Sequence, residues 1–168
     1  MKRKRFTTRM IILLGLLTAL EIILSRFCSI SAWNMKIGFS FVPVALAAML
    51  YGPLGGATVG ALGDLVGALL FPIGAYFPGF TLTAALTGAV FGRFLHRKQN
   101  ARRILAAVAV HQLILSLLLN TLWISVLYGS PYGALLVTRA VQTAILAPVE
   151  FLVLTVLTKR SYRKEFKR

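Results

Sequence analysis

Only four acidic side chains occur in this chain, Glu21, Asp64, Glu150 and Glu165, and the first three fall inside long apolar stretches. A charge near the middle of a bilayer costs roughly 2.5 to 3.5 kcal/mol even on the gentler insertion scales, so each needs a partner or a role. Asp64 stands one helical turn from Gly60 and from Gly67, on a face otherwise almost without side chains. Further along, Gln112, Ser116, Asn120 and Trp123 recur at helical spacing, as do Arg139 and Gln142. These groups donate and accept hydrogen bonds and carry charge. They do not assemble a nucleophile with a base: no His-Glu-x-x-His, no Gly-x-Ser-x-Gly and no Gly-x-x-x-x-Gly-Lys-Ser/Thr phosphate loop is present. His96 and His111 lack metal-ligand spacing, and a lone Cys28 rules out both an intramolecular disulfide and a cysteine metal cluster. The chemistry expected is therefore recognition of a small molecule, with no catalytic residue, no metal and no cofactor.

The elements that position these groups are set by charge and hydropathy. All but three of the 19 basic residues lie in three clusters, Lys2 to Arg9, Arg93 to Arg103 and Lys159 to Arg168; the exceptions are Arg26, Lys36 and Arg139. A net charge of +15 would suit a nucleic acid partner, but 58% hydrophobic residues and a mean hydropathy of +0.80 leave no soluble surface to display it. Basic residues flanking apolar segments stay on the cytoplasmic side, so an even number of spans separates each pair of clusters. Six segments approach the length of about 20 apolar residues that a crossing needs, near 8–25, 37–51, 54–71, 79–95, 104–128 and 133–158. Gly52-Pro53, Pro72 to Pro78 and Gly129 to Pro131 mark the breaks. The second to fourth segments are short for a full crossing and predict helices that stop below the outer surface or tilt little. Residues 10–24 read as a retained first span, because no small-residue cleavage site follows them. The expectation is an all-α integral membrane protein of the cell membrane, a single domain over 1–168 with six transmembrane helices in the lipid bilayer. Both termini would be cytoplasmic, with basic tails at 1–7 and 159–168.

Gly52, Gly56, Gly60, Gly63 and Gly67 line one helix face and predict close packing of a neighbouring helix. At ~1.5 Å rise per residue, Asp64, Arg139, Asn120 and Gln142 come out roughly 9 to 14 Å below the outer ends of their helices, so they are level. Two arrangements follow. Asp64 and Arg139 neutralise each other while the amides cross-link helices, or all of them line a cavity open to the outside. In the second case the first outer loop, rich in aromatic and polar residues from Arg26 through Trp33 and Asn34 to Lys36, would close it. Glu150 and Gln112 read as an interior structural pair, and Glu21 fits either role.

Four stretches carry a family resemblance: Asn34-Met35-Lys36-Ile37-Gly38-Phe39-Ser40-Phe41-Val42-Pro43, Met49-Leu50-Tyr51-Gly52-Pro53, Gly60-Ala61-Leu62-Gly63-Asp64-Leu65 and the run from Phe71 through Tyr76-Phe77-Pro78-Gly79-Phe80 to Thr81. The chain resembles the S components of energy-coupling factor (ECF) transporters and, including Asn120 to Trp123 and Arg139, is most similar to the folate-specific members. The resemblance implies a six-helix vitamin-capture subunit that binds folate from outside with high affinity. It would then topple in the membrane while docked on a transmembrane coupling protein driven by two cytosolic ATPases. The family's Ala-x-x-x-Ala coupling motif corresponds to Gly15-Leu16-Leu17-Thr18-Ala19, which keeps the surface small; the alternative for Gly15 and Ala19 is packing inside the bundle. For folate, a pterin would stack on Trp123, Phe77 or Tyr76 and meet Asn120, Gln142 or Asp64 along its edge. The glutamate carboxylates would lie toward Arg26 and Lys36, and Arg139 would bind ligand or balance Asp64. The alternatives are another vitamin or precursor, such as a queuosine precursor or hydroxymethylpyrimidine, or an intramembrane enzyme or structural membrane protein.

Overall fold

The mostly apolar run from Thr8 to Arg26 forms a single helix, α1, in the computed structural model, which describes residues 7–31 and 36–165. A short antiparallel hairpin follows, β1 (Ile30–Ser31) and β2 (Lys36–Ile37), with Ile30 opposite Ile37 and Ser31 opposite Lys36. Trp33 and Asn34 lie outside the described residues. The remainder is helical: α2 (Phe41–Leu70), α3 (Pro78–Leu95), α4 (Ala101–Ala109), a π-helix (Val110–Leu119), α5 (Asn120–Tyr128) and α6 (Tyr132–Glu165).

The predicted spans 37–51 and 54–71 are the two halves of α2, separate helices that meet at Gly52. Gly52 takes φ 81° and ψ −165°, a backbone that side chains other than glycine's seldom adopt, and Pro53 resumes the helix directly beyond it. The chain folds back there without an intervening loop: a Cβ on Gly56 would stand 2.7 Å from that of Ala48, eight residues earlier, which one continuous helix would hold roughly 12 Å away. Residues 37–40 belong to the hairpin and the approach to α2, so the helix begins four residues later than expected. The fifth segment begins at Ala101, before the predicted 104, and the sixth runs on to Glu165, beyond 158. Lys and Arg are good helix formers, so a change from apolar to basic residues ends the membrane-compatible stretch without ending the helix. Gly129, with φ 64°, terminates α5 as a left-handed cap.

The glycine face of α2 meets α3 backbone to backbone. A Cβ on Gly56 would overlap Gly88, one on Gly60 would overlap Ala84, and one on Gly92 of α3 would overlap Pro53. Beyond that contact, toward the end of α2, the same face leaves room for α1 side chains: Glu21 occupies the space at Gly63, and Arg26 Nε lies 2.9 Å from where a Cβ on Gly67 would stand. The close approach predicted from the spacing is thus divided between a helix and two charged side chains.

A solid apolar core fills the end of the bundle where α3 runs into α4, built on Met49, Val59, Phe91, Leu95, Ile104 and Leu154. The outer faces are apolar too; Leu16, Leu54, Leu105 and Val137 are all well exposed. Among the described residues, the stretches Thr8–Arg26, Ala101–Tyr128 and Tyr132–Lys159 are long and apolar enough to cross a membrane, and Phe41–Leu70, divided at Gly52, is apolar as well. With apolar residues facing outward around the whole bundle, this is the surface of a protein solvated by lipid.

Candidate functional site

α1 ends at Arg26 beside the gap left by Gly67, and this places the guanidinium within reach of Asp64, one turn back along α2. Arg26 Nη2 is 3.7 Å from Asp64 Oδ1 and donates to the Asp64 carbonyl at 3.3 Å. Thr81 Oγ1, at the start of α3, donates to Asp64 Oδ2 at 2.7 Å. Because that bond uses the threonine's one proton, the Tyr76 hydroxyl, 3.3 Å away, donates to Thr81. Of the two arrangements open to Asp64 and Arg139, mutual neutralisation is not the one found: Asp64 is matched by Arg26, because α1 rather than α6 passes the side-chain-free end of α2. Arg139 is 6% exposed and sends Nη2 to the Ser116 carbonyl at 3.1 Å.

That carbonyl belongs to the π-helix, whose wide turn carries His111, Gln112 and Ser116, followed by Asn120, along one wall of a cavity. Widened turns leave carbonyls imperfectly matched where they rejoin an α-helix, and an apolar setting offers no water to meet them. Here three consecutive carbonyls are met by side chains: Ser116 by Arg139, Leu117 by the Thr121 hydroxyl, and Leu118 by the Tyr132 hydroxyl. No glycine or proline signals this π-helix, so residue periodicity alone did not reveal it.

Deeper in, Glu150 of α6 is 1% exposed and accepts from Gln112 Nε2 at 2.5 Å. Its oxygens also lie 2.8 and 2.9 Å from His111 Nδ1. The Glu150–Gln112 pair was expected; His111 was not, because a single histidine on an apolar helix has no pattern to distinguish it.

The cavity has a volume of about 620 Å³, within the range of roughly 300 to 1,000 Å³ typical of small-molecule sites. It extends from the 71–77 connection and Tyr128 down to His111 and Gln112. Of the residues singled out in the sequence, Arg26, Asp64, Tyr76 and Phe77 line one side, and Asn120, Arg139 and Gln142 the other. Trp123 does not reach the wall. It stands behind Phe77, with ring centroids 5.5 Å apart, and its Nε1 donates to Thr83 Oγ1 at 3.0 Å. Gly79, with no Cβ to strike the indole, lets it lie there. Trp123 is thus a support for Phe77 and Thr83, not the stacking surface the sequence suggested. Lys36 lies in β2, its backbone paired with that of Ser31.

Two polar atoms on the wall, Gln112 Oε1 and Asn120 Oδ1, are buried without a hydrogen-bond partner among the described residues, as is Arg26 Nε. Such atoms are costly to leave unmatched, and a bound molecule is one way to match them. Acceptors deep in the cavity, a guanidinium near its other end and aromatic rings between form a site for an elongated, partly flat molecule.

Gly15 and Ala19 are elsewhere. Both are exposed on the outer face of α1, one turn apart, and nothing lies within 4 Å of where a Cβ on Gly15 would be. Packing inside the bundle, the alternative weighed for them, is excluded by this placement.

The family described as "ECF transporter, substrate-specific component" matches residues 9–158. The chain is 40% identical over 144 residues to a folate transporter, FolT, of Clostridium novyi, covering 85% of this chain and 84% of that one. It is 31% identical over 153 residues to the FolT of Leuconostoc mesenteroides subsp. mesenteroides, covering 87% and 82%. The fold matches a crystal structure of FolT bound with folic acid at a TM-score of 0.87 and 35% identity, over 92% of this chain and 95% of that one.

Proposed function

The chain belongs to the substrate-specific components of ECF transporters, membrane proteins of an import system, and on that premise we propose that it is the folate-capturing subunit of an ATP-driven importer. The observation that carries the reading is the cavity itself, in a fold that superposes on a FolT holding folic acid. The bundle crosses the bilayer six times, counting α2 as two crossings joined at Gly52, with both termini and the 93–103 segment in the cytoplasm, where the three basic clusters belong. The end of the cavity bounded by the 71–77 connection then faces outside.

Folate enters from that side. Its pterin lies in the depth of the cavity, stacked against Phe77 and within reach of Asn120 and Gln142, while its glutamate carboxylates lie toward the mouth near Arg26. Tyr76, hydrogen-bonded through Thr81 to Asp64, ties the outer connection to the charged pair. Lys36 and the loop residues Trp33 and Asn34 close over the ligand and slow its escape. Gly15 and Ala19 form the surface that meets the transmembrane coupling protein, and the ATP is hydrolysed by two cytosolic ATPases bound to that protein. This chain carries out no chemistry on the vitamin.

The charge assignment at the mouth is tested with Arg26→Gln. Hydrogen bonds to charged groups are the strong ones, so folate should bind about ten- to a hundredfold more weakly. A neutral pterin without the glutamate tail should bind the variant and the parent protein alike. Equal weakening for both ligands would remove Arg26 from the carboxylate role, and no weakening for either would favour a neutral vitamin precursor as the natural ligand.

A further inference from the structure

Glu150 has no part in the reading above, although it is 1% exposed. It faces the π-helix from α6, and both of its oxygens are engaged, by Gln112 Nε2 and by His111 Nδ1. Phe91 packs edge-on against the imidazole, with centroids 5.3 Å apart, so the ring is held in place. Glu150 accepts from the Gln112 NH2 group, which fixes the turn of that amide and leaves Oε1 buried with no partner among the described residues. His111 and Gln112 both line the cavity, and Asn120 Oδ1, also buried without a partner among the described residues, stands two turns further along the same wall.

We propose that Glu150 is a positioning residue that turns Gln112 Oε1 into the floor of the cavity as a buried acceptor, selective for a heterocycle edge that presents N–H donors there. The inference rests on folate capture being the function. It specifies that the 2-amino and adjacent ring N–H groups of the pterin are read by the floor. A buried acceptor there rejects a ring that lacks those donors, because its oxygen is then left unmatched. Were Glu150 only a structural link between helices, replacing it would lower stability and weaken every ligand in parallel.

The test compares folate with an analogue carrying hydrogen in place of the 2-amino group, titrated into the full-length detergent-purified protein, into Glu150→Gln and into Gln112→Leu. The parent protein should prefer folate by about ten- to a hundredfold, the penalty for one buried polar group left unpaired. In Glu150→Gln the amide of Gln112 is free to turn over, and the preference should shrink several-fold, chiefly through loss of folate affinity. Gln112→Leu removes the acceptor without altering the carboxylate and should abolish the preference, which decides the matter if Glu150→Gln proves too unstable to purify. Folate binding with no preference in the parent protein would overturn the acceptor floor and leave folate capture standing. A preference kept in full by both variants would overturn the roles of Glu150 and Gln112. Failure of the parent protein to bind either ligand would overturn the inference together with the function on which it rests.

Discussion

Replacing Gly15 and Ala19 together by tryptophan is expected to abolish folate uptake by cells that contain the complete importer, while folate binding by the isolated protein stays unchanged. The separation follows from position. Both residues lie on the outer face of α1, and nothing stands within 4 Å of a Cβ at Gly15. The cavity is lined by Glu21, from the buried face of the same helix, and by the Arg26 side chain at its far end. Two indoles on the outer face disturb no contact within the bundle and are tolerated by lipid. They would fill the shallow groove into which another helix must fit, because close approach of helices in a membrane relies on small residues. Uptake of labelled folate, measured beside a binding isotherm, distinguishes the two effects. Uptake at the parental rate would mean that this face meets only lipid and that coupling occurs elsewhere.

The second large effect is expected at Gly88→Leu. A Cβ there overlaps the backbone of Gly56, and backbone on a packed helix cannot move aside as a flexible side chain can. Overpacking a well-fitted core typically costs about 1 to 3 kcal/mol, more where rigid atoms oppose it, and total stabilities are only about 5 to 15 kcal/mol. Separating α2 from α3 also pulls Thr81 from Asp64 and shifts Phe77 from the ring of Trp123, so the cavity is lost with the packing. The variant should fail to accumulate as folded protein, or should melt many degrees lower and bind no folate. Gly15→Leu, the same chemical change where no atom opposes it, should accumulate and melt like the parent. A Gly88→Leu protein as stable as the parent would show that the two helices can separate without loss of the fold.

Much of this architecture was legible in the sequence because the bilayer imposes strong rules. Apolar runs, basic clusters and the Gly-Pro punctuation located the helices to within a few residues. The glycine spacing on α2 announced its contact face, and the level of the intramembrane polar groups brought Asp64, Asn120, Arg139 and Gln142 to one cavity. What failed was pairing. Sequence spacing tells which residues share a face of one helix, but not which neighbouring helix passes that face. Arg26, placed in a loop by its position after an apolar run, is the last residue of α1 and takes Asp64. Trp123 shares helical phase with Asn120, yet the Phe77 ring lies between it and the cavity, a fact of tertiary packing. The π-helix over Val110–Leu119 left no mark at all, because its carbonyls are matched by Arg139 and Tyr132 from a different helix. His111 was passed over for the same reason; its significance lies in Glu150, 39 residues away.

The central claim is that this cavity binds folate. It is tested most directly by titrating the detergent-purified protein, freed of any ligand carried through purification, with folate and following the heat released. Tryptophan fluorescence offers a second readout, since Trp123 stands directly behind Phe77. The account predicts tight binding at one folate per chain, weakened by Arg26→Gln and Asn120→Ala. Absence of binding by folded protein, with a neutral vitamin precursor binding in its place, would contradict it.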